Sequence, residues 1–162
     1  MSHFKDLRMV PWTPTFQWVS SVEEAAEKIN LPHEDYPKRV VWTRNAITSM
    51  LPTYPYSLTA SASLLVLHRY IFADTSHAGS WRKVAVRVGN HHPPHSDLLP
   101  SLMRQLEHYY EEITDLPTLM DWYNDFETIH PFQDGNGRVG GVVVARLSHT
   151  LDEEKGYLAP DQ

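Results

Sequence analysis

Cysteine is absent from the chain, which excludes disulfides, thiolate nucleophiles and thiolate metal sites. That absence leaves the redox compartment open. An excess of positive charge is missing too: Lys plus Arg total 14 against 20 for Asp plus Glu, a formal charge of −6 with histidine neutral. A dedicated DNA or RNA binder normally carries a positive surface to meet phosphates, so nucleic acid is not an expected partner. A few local donors would still suffice to hold one nucleotide. No apolar run approaches the roughly 20 residues that cross a bilayer, so no membrane association is expected. The start, MSHFKDLRMVPWTP, lacks an apolar segment followed by a small-residue cleavage site. The default expectation is a soluble cytoplasmic protein, with delivery as an effector the other route left open. No internal repeat or low-complexity tract is present.

A chain of 162 residues predicts one domain over 1–162, with a core at about 40–150 and a lead-in at 1–39. The first twenty residues, with Trp12, Trp18 and two prolines, read as an extended lead-in. Ser21-Val-Glu-Glu24 is a capping-box pattern ahead of a short helix to about Ile29. The stretch LPHEDYPKR reads as a loop, followed by a modest helix at Thr43–Leu51. A stronger, largely buried helix is predicted over 57–73. At 82–88 the period changes: Val84, Val86 and Val88 alternate with Lys83, Ala85 and Arg87, which predicts a strand ending at a Gly89-Asn90 turn. Ser96 is placed to cap a helix to about Ile113, and Asp115 with Pro117 starts another that runs into His130. Beyond residue 138, Val139 and Val142–Val144 beside Gly140 and Gly141 look more strand-like than helical on propensity. The expected class is all-α, a helical bundle with one small β-excursion.

The chemistry is concentrated in residues 130–138, His-Pro-Phe-Gln-Asp-Gly-Asn-Gly-Arg. An imidazole and a carboxylate flank a glycine-rich turn, and glycines let successive N–H groups converge into an anion-binding nest. A helix starting after the turn would add its positive end. Asp134 is a hard oxygen ligand suited to Mg²⁺, and Asn136 and Arg138 could orient phosphate oxygens. His130 has the intrinsic pKa to take a proton from a hydroxyl near neutrality. The same letters also spell a tight turn, or part of a calcium loop that lacks its terminal Glu.

This segment resembles the signature of the Fic family, His-x-Phe-x-(Asp/Glu)-Gly-Asn-Gly-Arg-x-x-Arg, and His130 through Arg138 satisfy it consecutively. Phe126–His130 is similar to the family's approach to the motif. Ala78–Val88 is similar to its Ala-Gly-x-aromatic-Arg segment and flap hairpin. The resemblance implies an all-α Fic-like helical bundle with a short β-hairpin flap. It also implies a protein adenylyltransferase moving AMP from Mg²⁺-ATP to a Ser, Thr or Tyr hydroxyl of a target protein. On that pattern His130 is the general base and Asp134 the Mg²⁺ ligand, with Phe132, Gly135, Asn136, Gly137 and Arg138 at the nucleotide and phosphate site. Arg82, Lys83, Val84 and Val86 would form the flap that pairs with an extended target segment. Gly137 stands where Doc-type kinases have Lys, which favours the AMP-transfer orientation.

One position departs from the signature: Gly141 stands where the second motif arginine belongs. That removes a charge-assisted phosphate contact. Weak ATP affinity, another donor, and an inactive nucleotide-binding regulatory or interaction domain are the alternatives it opens. The family's inhibitory pattern, (Ser/Thr)-x-x-x-Glu-(Gly/Asn), is also unmatched. Thr48 stands where its Glu belongs in Arg44–Ser49, and Lys155 follows Glu154 in Thr150–Glu154. The expectation is that no internal inhibitory glutamate operates, which leaves room for a separate inhibitor protein. His91, His92 and His95 could suggest zinc but read as a Pro-rich loop. His68 reads as structural.

Overall fold

A computed structural model of the chain describes residues 4–7 and 15–161, with the Lys5 and Asp6 side chains left out. Pro11, Trp12 and Pro14 of the expected lead-in lie outside the described residues.

The order is β1 (Phe16–Val19), α1 (Val22–Asn30), α2 (Tyr36–Asn45), α3 (Ser61–Ile71), α4 (Leu99–Tyr109), α5 (Leu116–Ile129), α6 (Asn136–Leu151) and β2 (Tyr157–Pro160). The all-α expectation stands for the bulk of the chain. Ser21 caps α1 by accepting from the Glu24 N–H at 3.1 Å. Asp115 caps α5 by accepting from the Thr118 N–H at 2.8 Å.

Four local expectations are corrected. The loop expected at 31–39 gives way at Tyr36, where α2 begins with Pro37 in its first turn, a position in which proline starts a helix rather than breaking one. It runs on through a wide π turn at Ala46–Met50, so the helix expected at 43–51 is its second half. The helix expected to 113 stops at Tyr109, and His95, not Ser96, accepts from the Asp97 N–H at 3.1 Å at its entry.

The valines after residue 138 lie in α6, where Val139, Val142, Val143, Val144 and Ala145 are all buried. A buried valine gains roughly 1.5 kcal/mol or more by leaving water, against a helix-propensity penalty of at most about 0.7 kcal/mol. Burial wins, and α6 becomes the central helix, packed by α5, α1, α3 and β2.

Residues 82–88 form no strand. The expected hairpin shrinks to one bridge, Val88 with His91, closed by main-chain bonds of 3.0 and 2.8 Å around Gly89 and Asn90. Alternation makes a strand only where a partner edge and a face to bury are both supplied. Here Val84 is 45% and Val88 37% exposed, and among the described residues the sheet is elsewhere. That sheet pairs β1 with β2 antiparallel, Phe16 opposite Pro160 and Val19 opposite Tyr157. Leu158 N–H donates to Ser148 Oγ at 2.9 Å, fastening β2 to the end of α6. Among the described residues no helix is long and apolar enough to cross a membrane.

Candidate active site

The last turn of α5 delivers His130 in the left-handed conformation, φ 53° and ψ 62°, while its N–H still bonds the Phe126 carbonyl at 2.9 Å. For a residue with a Cβ that backbone costs on the order of 1–3 kcal/mol, so the surroundings must hold it. Arg82 does so: its Nε donates to the His130 carbonyl at 2.7 Å, and its own N–H donates to the Pro131 carbonyl at 2.9 Å.

The next residues fold back into the core. Phe132 is fully buried and stacks on His68 with centroids 4.0 Å apart, and the Trp81 ring lies tilted against it at 5.1 Å. Asn136 clasps its backbone from both sides, accepting from the Phe132 N–H and donating to its carbonyl, each at 2.8 Å. His68 supports the same loop, with Nε2 3.0 Å from the Asp134 carbonyl while Nδ1 accepts from the Gly79 N–H at 3.0 Å. One ring nitrogen must accept, so the imidazole is neutral. Burial pushes its pKa down to about 4 against the pull of the Asp134 carbonyl.

Gly135 is the residue before α6, at φ 88°, and a Cβ there would stand 2.5 Å from the Phe72 ring. Only glycine fits. The first-turn N–H groups of α6, from Asn136, Gly137 and Arg138, have no intrahelical acceptor by helix geometry, and the positive end of the helix dipole adds to them. They face a cavity of about 300 Å³ lined by His130, Gln133 and Asp134–Arg138, together with His33 and Glu127.

The structure therefore brings His130, Asp134 and the glycine-rich turn to one cavity. The roles within it divide unevenly. Phe132 and Asn136 use their side chains to shape the loop. Arg138 is 2% exposed; one of its amino groups contacts Asp35 at 2.5 Å and the other Asp134 at 3.3 Å, above the Phe72 ring. Arg39 covers the same ring and also holds Asp35, at 3.0 Å. Burial acts to raise the Asp35 pKa, but Arg39 and Arg138 outweigh it and keep the carboxyl below its ordinary value. Asp134 is 58% exposed at the rim, with Arg138 as its charged partner. The second group, Lys83, Val84 and Val86, lies on the 82–91 segment rather than in the cavity, and Arg82 points away from solvent.

His130 is neutral at physiological pH. Its pKa is lowered to about 4, chiefly by burial, with Arg82 and His91 adding to the effect and the Glu127 carbonyl and Asp134 opposing it. Glu127 was not anticipated from sequence: its carboxyl is buried, Oε1 has no hydrogen-bond partner, and desolvation pushes its pKa up to about 7. The signal was available, because Glu127 lies three residues before His130 and so one helical turn back on the same face. His33 and Asp35 come from the segment read as a plain loop, which carried no signal. The histidine-rich loop does not converge: His91 Nε2 meets the Thr128 carbonyl at 2.8 Å while His95 caps its own turn. Among the described residues no cluster of three or more His, Asp or Glu could hold a metal.

Residues 58–147, more than half of the chain, match the model of the Fic/DOC family. The chain belongs to the Fic/DOC family. It is 35% identical over 101 residues to "Protein adenylyltransferase Fic" of Drosophila grimshawi, an alignment covering 58% of this chain and 20% of that protein. The fold resembles the crystal structure of a Fic family protein from Desulfovibrio desulfuricans G20, with TM-score 0.60 and 23% identity over 81% of this chain and 43% of that one. The chain thus spans less than half the length of either relative.

Within this Fic fold Gly141, the departure from the signature, sits where α6 meets α1. A Cβ at that position would lie 3.2 Å from Ile29 Cγ1, because α1 packs directly on α6 there. Any side chain there requires Ile29 to give by a few tenths of an ångström.

Proposed function

We propose that this chain is a Fic-type protein adenylyltransferase, moving AMP from ATP to a Ser, Thr or Tyr hydroxyl of a target protein. The observation that carries the proposal is a neutral His130 at the mouth of a cavity floored by three unpaired helix N-terminal N–H groups. His130 takes the proton of the target hydroxyl as its oxygen bonds the α-phosphorus, and the bond to the β-phosphate oxygen breaks to release pyrophosphate. The N–H groups of residues 136–138 hold the phosphate oxygens where negative charge grows. Arg138 adds positive charge to that wall, although Asp35 and Asp134 already engage its amino groups.

Mg²⁺ suits this donor set. It commonly binds through one or two carboxylates plus substrate phosphates, and Asp134 offers one solvent-facing carboxylate beside the nest. When bound, the ion would neutralise phosphate charge and help pyrophosphate depart. Target recognition falls to residues 83–88. Among the described residues the N–H groups of 83–87 make no main-chain hydrogen bond, so an extended segment of the target could pair there beside Lys83, Val84 and Val86. A helix of 16 residues spans about 24 Å, so Glu154, beyond the far end of α6, lies well away from the nest. Thr48 is exposed on its π turn. Control by a separate inhibitor protein fits that arrangement.

A second reading, a nucleotide-binding regulatory domain without turnover, is favoured by Gly141 and by the carboxylates already on Arg138. Intact-mass analysis of the wild type and His130→Ala, with Mg²⁺ and each of ATP, GTP, UTP and CTP, separates the two. A nucleoside-monophosphate adduct with ATP, seen in the wild type alone, supports transfer. One-to-one ATP binding with no adduct on the protein or on any protein of a cell extract supports the second reading.

A further inference from the structure

The sequence places Arg82 on the flap, facing a target. The structure puts it elsewhere: it is 3% exposed and makes no ion pair among the described residues. Its guanidinium is spent on carbonyls. Nε donates to His130 O at 2.7 Å, Nη2 to Pro94 O at 2.6 Å and Ile129 O at 3.3 Å, and Nη1 to Val84 O at 3.1 Å. Two of these acceptors belong to the C-terminus of α5, where carbonyls lack intrahelical donors and the helix dipole is negative. The other two mark the ends of the 84–94 segment. We infer that Arg82 is a positioning residue, a planar fork that locks the left-handed His130 loop and both ends of the target-docking segment into one register.

The chemistry of the side chain supports this assignment. Guanidinium stays charged when buried and presents five N–H donors in a fixed plane, so it can serve four acceptors lying in different directions. An ammonium offers three donors from one point and cannot span the same set. The main chain at Arg82 adds a fifth tie, to Pro131 O at 2.9 Å, so the residue grips the loop on both sides of the His130–Pro131 bond. Val88 and His91 close the tip of the segment, and His91 Nε2 adds a second tie, to the Thr128 carbonyl of α5 at 2.8 Å. Arg82 joins the His130 loop to both ends of the segment at once, and so sets the register in which that tip closes. The description of His130 as base and of 83–88 as docking edge rests on the proposed transferase reading; the mechanical link does not.

The test compares wild type, Arg82→Gln and Arg82→Lys, with Arg104→Ala, an exposed α4 position, as the charge-loss control. Amide hydrogen exchange is read in the nucleotide-free protein. In Arg82→Gln the amides of His130, Phe132 and Val88 should all exchange at least about tenfold faster, while those of α3 and α4 stay as in wild type. Arg82→Lys should show the same pattern to a smaller degree, and it carries the test if the Gln variant does not fold. Where transfer is measurable, kcat should fall by about 100-fold while KM for the nucleotide changes less than about threefold, as expected for misplaced reacting groups. Faster exchange confined to 84–94, or spread evenly over the whole chain, overturns the proposal. A wild type that transfers nothing would sink the transferase reading, while the exchange data would still decide the role of Arg82.

Discussion

Two short segments stood out in the sequence, 130–138 for its composition and 82–88 for its alternation, and the structure treats them oppositely. In the first, polar side chains and the strained backbone are over-determined: Asn136 clasps Phe132, His68 holds Asp134, Phe72 demands Gly135 and Arg82 fastens His130. In the second, Val84 and Val88 are exposed, Val86 is half-buried, and among the described residues the N–H groups of 83–87 make no main-chain hydrogen bond. A catalytic loop must be shaped before the substrate arrives, because geometry assembled in advance costs nothing at the moment of reaction. A docking edge must keep its hydrogen bonds unmade, because the partner supplies the other half.

The largest effect should come from breaking the first segment at its chemistry. His130→Ala should lower transfer by at least about 100-fold with nucleotide affinity nearly unchanged, checked by single-turnover kinetics and calorimetric ATP binding. Gly135→Ala attacks its shape. With φ at 88° and Phe72 2.5 Å from the new Cβ, the substitution should cost about 3 kcal/mol or more, read as a lowered midpoint in urea.

Acid should weaken the same region. The His68 pKa is depressed to about 4 in the fold, so between pH 6.5 and 4 the unfolded chain binds the extra proton. That part of the stability is complete above pH 6.5 and is lost as pH falls towards 4, on the order of 3 kcal/mol for a shift of this size. His130 acts in the same direction. Glu127 opposes both, since its pKa is raised to about 7 and the folded state keeps its proton up to that point. Unfolding free energies across pH 4–6.5 should therefore rise with pH, and rise more steeply in Glu127→Gln.

Much of the helical fold and of the first segment was legible because the signals are local. Ser21 and Asp115 cap the helices they precede, and the His130–Arg138 letters specify a nest on their own. The sheet was illegible for the converse reason: β1 and β2 are four residues each and pair across nearly the whole chain, so neither shows a pattern. The α6 valines misled because propensity is a small quantity beside burial. Residues 82–88 misled because alternation alone makes no strand, and among the described residues no edge pairs with 83–87.

Breaking the second segment should be gentler. Val86→Pro removes one N–H from the open edge and should leave the urea midpoint within about 0.5 kcal/mol of wild type while raising KM for a protein target several-fold. The smallest effect is expected at the wall between the two: Asp35→Asn relieves Arg138 of a competing carboxylate and should tighten nucleotide binding a few-fold, the scale of a partly exposed ion pair.

The central claim, that the shaped loop moves a nucleotidyl group through His130, is met most directly by parallel labelling with α-³²P-ATP and γ-³²P-ATP in the presence of Mg²⁺ and a cell extract. Label that depends on His130 should reach protein from the α-phosphate only. Label from the γ-phosphate that depends on His130, or α-label undiminished by the substitution, would contradict that claim.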